Sequence, residues 1–186
     1  MSIELRRIDH DNFYEICQLQ VAKKQLNYVD SNAISLAEAN FMDFPWFRGI
    51  YAEDKPVGFI LVNADIPADK FFLWRFMLDQ TQQSKGYGRR AIELLSSELL
   101  NEFGASALYT SVVDSTGGPK GFYLNCGFIP TGNLVAGREI ELSRTLKPQN
   151  ITNCSRGIRN AWHFQHALVL VFKAVCGDFG IALLTP

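Results

Sequence analysis

The sequence predicts an α/β domain with a mixed central sheet flanked by helices. Three observations support this. Two β-rich runs, 46–52 and 57–65, lie on either side of Glu53-Asp54-Lys55-Pro56, a turn composition, and read as an antiparallel hairpin. An apolar run at 71–78, a helical repeat and a further β-rich run at 107–113 make a βαβ unit, which requires a parallel pair. At the junction of run and helix stands Gln83-Ser84-Lys85-Gly86-Tyr87-Gly88-Arg89-Arg90, where two glycines precede two arginines.

Ile3 to Ile8 reads as a short strand, and Asp9 or Asp11 is placed to cap a helix running towards Leu19. Ser35-Leu36-Ala37-Glu38 has the S-x-x-E form of a capping box and predicts a second helix start. After the hairpin, Phe71 to Leu78 is apolar at nearly every position, as expected of a strand buried on both faces. Ala91, Leu94, Leu95, Leu99 and Phe103 recur at helical spacing, and Gly104 stops that helix. A short helix around Lys120 to Asn125 and strands near Phe128 and Arg138 to Leu142 complete a domain over residues 1–146. The composition then turns linker-like, and 147–186 is expected to be an extension: a docking element, a dimer contact or a segment with no selected fold. A homodimer is therefore one assembly the sequence allows.

The 186 residues, 47% of them hydrophobic, suffice for one core of ordinary size. A formal net charge of -1 provides no basic stripe, which argues against a nucleic-acid partner. Cys17, Cys126, Cys154 and Cys176 are scattered without a C-x-x-C pair, so a reducing cytoplasmic compartment is expected. Cys154, His163, His166 and Cys176 match no standard zinc spacing, and no metal is expected. The first 13 residues lack the apolar stretch of a secretory signal, and Ala167 to Phe172 is too short to span a bilayer. No membrane partner is expected.

The glycine stretch admits several readings. It lacks the G-x-x-x-x-G-K-[ST] spacing of a Walker loop. Gly86-Tyr87-Gly88-Arg89-Arg90-Ala91 fits the G-x-G-x-x-A of dinucleotide-binding folds, with Asp114 ending the next strand. Against that, Asp79 to Lys85 is too long for the tight strand-to-glycine turn, and the hairpins leave no room for a doubly wound sheet. Read as Q-x-x-G-x-G at a helix start, the loop offers unpaired N–H groups, the positive end of the helix dipole and positions without Cβ atoms. Lys85, Arg89 and Arg90 then supply charge for a further phosphate. On the loop alone, a capped surface helix with solvated basic residues accounts for it equally well.

The loop, with Phe71 to Leu78 before it, resembles motif A of the GNAT family of N-acetyltransferases. Gly121-Phe122-Tyr123-Leu124-Asn125-Cys126-Gly127-Phe128 is similar to that family's FY-x-x-x-GF motif, in the family's order and separation. The resemblance covers roughly Ile3 to Leu146. SNAISLAEA, LWRFMLD, KGYGRRAIELL and GGPKGFYLNCGF further resemble bacterial diamine or spermine/spermidine acetyltransferases. One departure is Thr116, followed by Gly117-Gly118-Pro119, where many members carry an asparagine seven residues before the motif tyrosine.

The resemblance implies a GNAT-type acyl-CoA N-acyltransferase fold with a strongly bent sheet, and acetyl-CoA as co-substrate. It implies that backbone groups of Phe76, Met77 and Leu78 pair with the pantetheine arm. Gln83, Ser84, Lys85, Gly86, Tyr87, Gly88 and Arg89 would hold the pyrophosphate, and Tyr123 would be the general acid. No cysteine or serine sits in a nucleophile motif, so direct attack in a ternary complex is expected. An attacking primary amine of pKa about 10.4 must first lose a proton. Glu38, Glu53, Asp79 and Glu139 are candidates to take it or to attract a cation, and each also reads as a capping, turn or edge charge. Trp74 and Tyr28 could line an amine pocket through cation–π contact. The expected acceptor is a polyamine or diamine; the alternatives are an aminoglycoside, an amino acid or a protein N-terminus. The rival from a different class is a non-catalytic acetyl-CoA-binding sensor or interaction module.

Overall fold

The computed structural model describes residues 2–147, and the expectations for 148–186, among them those for Cys154, His163, His166 and Cys176, lie outside the described residues. The strands are β1 (Ile3–Arg6), β2 (Pro45–Ala52), β3 (Lys55–Asp65), β4 (Lys70–Leu78), β5 (Ala107–Val113), β6 (Ile129–Val135) and β7 (Glu139–Thr145). The helices are α1 (Phe13–Gln18), α2 (Asn32–Ala39), α3 (Tyr87–Phe103) and α4 (Lys120–Asn125). One sheet holds all seven strands in the order β1-β2-β3-β4-β5-β7-β6. Every neighbouring pair is antiparallel except β4 and β5, which α3 connects. The sheet is mixed and flanked by helices.

Strand periodicity sorts the core into two layers. Ile60 and Val62 of β3 meet Ala91, Ile92, Leu95 and Leu99 of α3, while Phe59 and Leu61 meet Ile16 of α1 and Ala39 of α2. The strand buried on both faces is thus β3. In β4, assigned that role by its apolar run, Phe71, Leu73 and Met77 are buried but Trp74 is 41% exposed. The reason is topological. β4 pairs with β5 at Phe71–Leu108 and Phe72–Tyr109, and no further rung follows.

A bulge coincides with that divergence. Leu61 faces Arg75 and Val62 faces Leu73, which leaves Trp74 as the extra residue of β4. The bulge re-phases the alternation. Phe71 and Leu73 face the α3 layer, but beyond Trp74 it is Phe76 and Leu78 that pack there, and Met77 turns to the α1/α2 layer.

The helix starts differ from expectation. Neither Asp9 nor Asp11 caps α1; Asn12 is its N-cap, and the Asn12 side chain accepts from Asp9 N and donates to the Arg7 carbonyl. In α2 the cap is Ser31, whose Oγ accepts from Ile34 N at 3.3 Å. Ser35 lies buried inside the helix, with its hydroxyl donating to the Ser31 carbonyl at 3.0 Å, so Ser35–Glu38 is no capping box. Glu38 is left to point towards β4. The α3 boundaries agree with expectation: Gly86 (φ 82°) and Gly104 (φ 70°) flank it in the left-handed conformation. Among the described residues no helix is long and apolar enough to cross a membrane.

Candidate active site

The divergence of β4 from β5 opens a cleft of about 580 Å³. Leu73 to Leu78 form one wall, and Thr110 to Val112 with Gly117 to Pro119 form the other. The start of α3 and residues Phe122, Tyr123 and Cys126 of the α4 segment close the base. Because β5 no longer pairs with it, the edge of β4 from Phe76 to Leu78 borders the cleft.

The two glycines of the loop do different work. A Cβ on Gly86 would meet nothing within 4 Å, and that residue has no side chain to cap the first turn of α3. Helix geometry leaves the first N–H groups of such a turn without i-4 carbonyls, so an anion can be held there. A Cβ on Gly88 would stand 3.0 Å from Phe122 Cε2 and 3.4 Å from Leu78 Cδ1. Gly88 is therefore small to admit the Phe122 ring, which stacks on Phe76 at 5.6 Å. Ser84, also at positive φ (63°), turns the chain into the helix and lines the cleft.

The polar residues of the loop divide as well. Gln83 Nε2 donates to the Leu78 carbonyl at 3.0 Å and to Gln25 Oε1 at 2.8 Å, so its amide ties the loop to β4. Tyr87 is buried in the core. Lys85 donates to Gln82 and Arg90 pairs with Glu93; of the three cations, Arg89 is the one that lines the cleft. Asp79 accepts from Thr81 N, Thr81 Oγ1 and Gln20 N. Burial raises its pKa, but these donors outweigh burial and leave it below the ordinary aspartate value, which makes it a poor base.

Tyr123 is 7% exposed, at the base of the cleft, with its ring edge-on to Phe122 at 5.2 Å and to Phe128 at 5.4 Å. Burial pushes its phenol well above the usual tyrosine range, and the Thr110 hydroxyl opposes that only in part. The group is a proton donor at neutral pH. Cys126 also lines the cleft, and burial raises its thiol pKa despite Arg144 and Arg89, which disfavours the nucleophilic thiolate.

A second cavity of about 340 Å³ shares Tyr28, Val29, Arg75, Ser111, Val112 and Pro119 with the cleft. Asp30 and Glu139 line it, and Ser111 Oγ donates to Glu139 at 2.6 Å. Arg75 Nη2 reaches Asp30 at 2.9 Å and Glu38 at 3.0 Å, tying both ends of α2 to β4. Glu38 lines neither cavity and acts through Arg75, while Trp74 forms cleft wall with the Arg75 guanidinium 5.6 Å from its ring. Tyr28 OH and Ser115 Oγ lie 3.0 Å apart. Glu53 sits in the β2–β3 turn and Thr116 is exposed; neither lines a cavity.

Arg75, Asp30, Thr110 and Ser115 were not marked by the sequence reading. Their side-chain hydrogen bonds reach 37 to 87 residues along the chain, except for the one Arg75 makes to Trp74. No local motif records such pairings.

A split β4/β5 pair with a helix start and a buried tyrosine at its base defines an acyltransferase-type site. The chain matches the Acetyltransferase (GNAT) family over residues 4–128 and belongs to it. It is 27% identical over 140 residues to the spermine/spermidine N(1)-acetyltransferase of Bacillus subtilis (strain 168), covering 72% of this chain and 92% of that one. The spermidine N-acetyltransferase from Vibrio cholerae in complex with CoA and spermine has a similar fold: TM-score 0.61, 16% identity, 77% of this chain and 95% of that chain. So does an aminoglycoside 6'-N-acetyltransferase complexed with coenzyme A, at TM-score 0.62 and 18% identity, covering 80% of this chain and 99% of that chain.

Proposed function

We propose that this acetyltransferase moves an acetyl group from acetyl-CoA to a primary amine of a small polyamine or diamine, by direct attack within a ternary complex, with Tyr123 as general acid. The observation that carries the reading is the buried, protonated phenol at the base of a cleft that a helix start also lines. Acetyl-CoA supplies the activated acyl group. The residues present fit it: the open space at Gly86 leaves room for a diphosphate, Arg89 adds charge, and the β4 edge at Phe76–Leu78 can accept an extended arm.

Tyr123 donates to the departing sulfur, a step worth about 10²–10⁴ in rate for a well-placed acid. On the acceptor side, Asp30 and Glu38 share the single charge of Arg75, and on the opposite wall Glu139 pairs with Arg138 at 3.7 Å. Three acids against two cations leave one negative charge over for a cation, and Trp74 and Tyr28 offer aromatic faces beside it. The name of the Bacillus subtilis relative supports a polyamine over other amines. We take residues 1–146 as the acetyltransferase unit and a cytoplasmic setting as its place of action.

The test is release of free CoA from acetyl-CoA in the presence of spermine, spermidine, putrescine, an aminoglycoside and an amino acid ester. Polyamine-dependent release is expected. No release with any amine would leave a CoA-binding sensor as the better reading, and release with the aminoglycoside alone would move the substrate class. Tyr123→Phe should lower turnover while CoA affinity stays nearly intact.

A further inference from the structure

Ser111 stands between the two cavities. Along β5, Leu108 and Val112 are buried in the α3 layer, so strand alternation points Ser111 to the opposite face. There it lines both the cleft and the second cavity. In the β5–β7 ladder Ser111 lies opposite Glu141 and Val113 opposite Glu139, which makes Glu139 a diagonal neighbour of Ser111 on one face. Glu141 is turned towards β6, where it accepts from Thr131 Oγ1 at 2.8 Å and Asn133 Nδ2 at 3.0 Å. Ser111 Oγ donates to Glu139 Oε2 at 2.6 Å, the length of a charge-assisted bond, while Arg138 Nε stands 3.7 Å from the other oxygen, Oε1.

In the proposed reaction the thioester lies in the cleft and the amine enters from the second cavity, so the nitrogen reacts where the two meet. Of the residues lining both, three have polar side chains: Tyr28, Arg75 and Ser111. Arg75 is a cation held by Asp30 and Glu38, and the Tyr28 hydroxyl meets that of Ser115. Ser111 alone of the three is a hydroxyl with a carboxylate behind it. A hydroxyl has one proton and two lone pairs. With its proton committed to Glu139, Ser111 can only accept at the junction, and an amine N–H is a fitting donor.

We propose that Ser111 and Glu139 form a relay that takes the second proton from the attacking nitrogen. This rests on the reading of the cleft as the site of acetyl transfer to an amine. The amine arrives neutral, its first proton lost to solvent, and its lone pair forms the N–C bond. The nitrogen then carries a positive charge, which makes its remaining protons acidic. One N–H bond breaks and its electron pair stays on nitrogen. That proton passes to Ser111 Oγ as the serine's own proton passes to Glu139 Oε2. The C–S bond breaks with its pair on sulfur, which takes the Tyr123 proton. Glu139 has gained one proton and Tyr123 has lost one, so exchange with water resets both.

The test is the rate of a single turnover, with enzyme in excess of acetyl-CoA and the best acceptor of the amine panel, spermidine expected, at saturation. Product release then does not mask the step. Glu139→Gln keeps the shape but removes the base, and should slow that rate at least about a hundredfold, the lower end for a well-placed base. Ser111→Ala should slow it at least about tenfold, and carries the test should glutamine at 139 unfold the protein. Ser111→Thr, which restores the hydroxyl, should come within about threefold of wild type. CoA affinity by calorimetry should stay within about twofold throughout. Groups in series give one loss, so Ser111→Ala added to Glu139→Gln should cost nothing further. A raised KM for the amine with an unchanged single-turnover rate in Glu139→Gln would reduce Glu139 to attracting the cation and overturn the relay. Full activity in Ser111→Ala, or additive losses in the double variant, would overturn it as well. Absence of amine-dependent CoA release from the wild type would instead remove the acetyl-transfer reading itself.

Discussion

The hydroxyls of Tyr28 and Ser115 meet at 3.0 Å, joining the segment before α2 to the loop after β5. Tyr28 lines both cavities, so this bond stands at the passage between them. An exposed neutral hydrogen bond contributes about 0.5–1.5 kcal/mol, so Tyr28→Phe should raise the KM for the amine about two- to fivefold. CoA affinity should change little. Initial rates at varied amine check this, and an unchanged KM would separate Tyr28 from acceptor binding.

Gly86 and Gly88 should fail in different ways. Gly86→Glu sets a like charge in the space proposed for the diphosphate, at a backbone position (φ 82°) that strains any side chain. A loss of CoA affinity of at least about tenfold is expected by calorimetry, equivalent to about 1.4 kcal/mol. Gly88→Ala instead presses on Phe122, which neighbours Tyr123. Its overpacking should cost about 1–3 kcal/mol of stability, with kcat falling more than CoA affinity.

Arg75 holds two carboxylates from one nitrogen, with its side chain 19% exposed and those of Asp30 and Glu38 at 55% and 34%. Solvent screening discounts such pairs, and Arg75→Leu should lower Tm by about 3–6 °C. Glu38→Gln, which leaves Asp30 as partner, should cost less. Thermal unfolding of both variants tests the order.

Asp79 is held below the ordinary aspartate range against the opposing effect of burial by donors from Thr81 and Gln20. A depressed folded-state pKa contributes stability above about pH 4 that disappears as pH falls through the lowered value. Asp79→Asn should therefore be less stable than wild type at pH 7. The gap between their Tm values should close as the pH is taken below 4, and a constant gap would contradict this origin.

The Tyr123 phenol is raised by burial, so it remains protonated through neutral and mildly alkaline pH. The rate should rise with pH as the acceptor amine loses its proton, with no phenol-derived fall below about pH 10. A pH–rate profile in kcat shows the absence of that limb, and a decline between pH 8 and 9 would argue against Tyr123 as the acid.

Most of the fold was legible where side-chain period is a local property. The strand at 107–113, the helix ending at Gly104 and the short helix at Lys120–Asn125 all carry their own pattern. Burial on both faces was not legible, because an apolar run does not reveal which strand loses its neighbour; β3 keeps both, and β4 loses β5 after Phe72. The cap of α2 was misread since both Ser31 and Ser35 offer hydroxyls, and only packing decides which one starts the helix. At the cleft, the glycines and Tyr123 were marked by the family resemblance, since the loop alone left a capped surface helix equally open. Arg75 and Thr110 carry no such mark, because their contacts exist only once β4 has bulged and separated from β5.

The extra residue at Trp74 gives β4 one unit of slack. Without it, Leu73 and Arg75 would follow each other opposite Val62 and Leu61, and the register with β3 would close. Phe71, Leu73, Phe76 and Leu78 would stay on the α3 side and Met77 on the other, in plain alternation. Loss of any residue between Phe59 and Leu61 has no such slack to absorb it and would turn the rest of β3 over. A single-codon deletion would thus be forgiven at Trp74 and ruinous one strand away, at the expense only of the aromatic face that Trp74 gives the cleft wall.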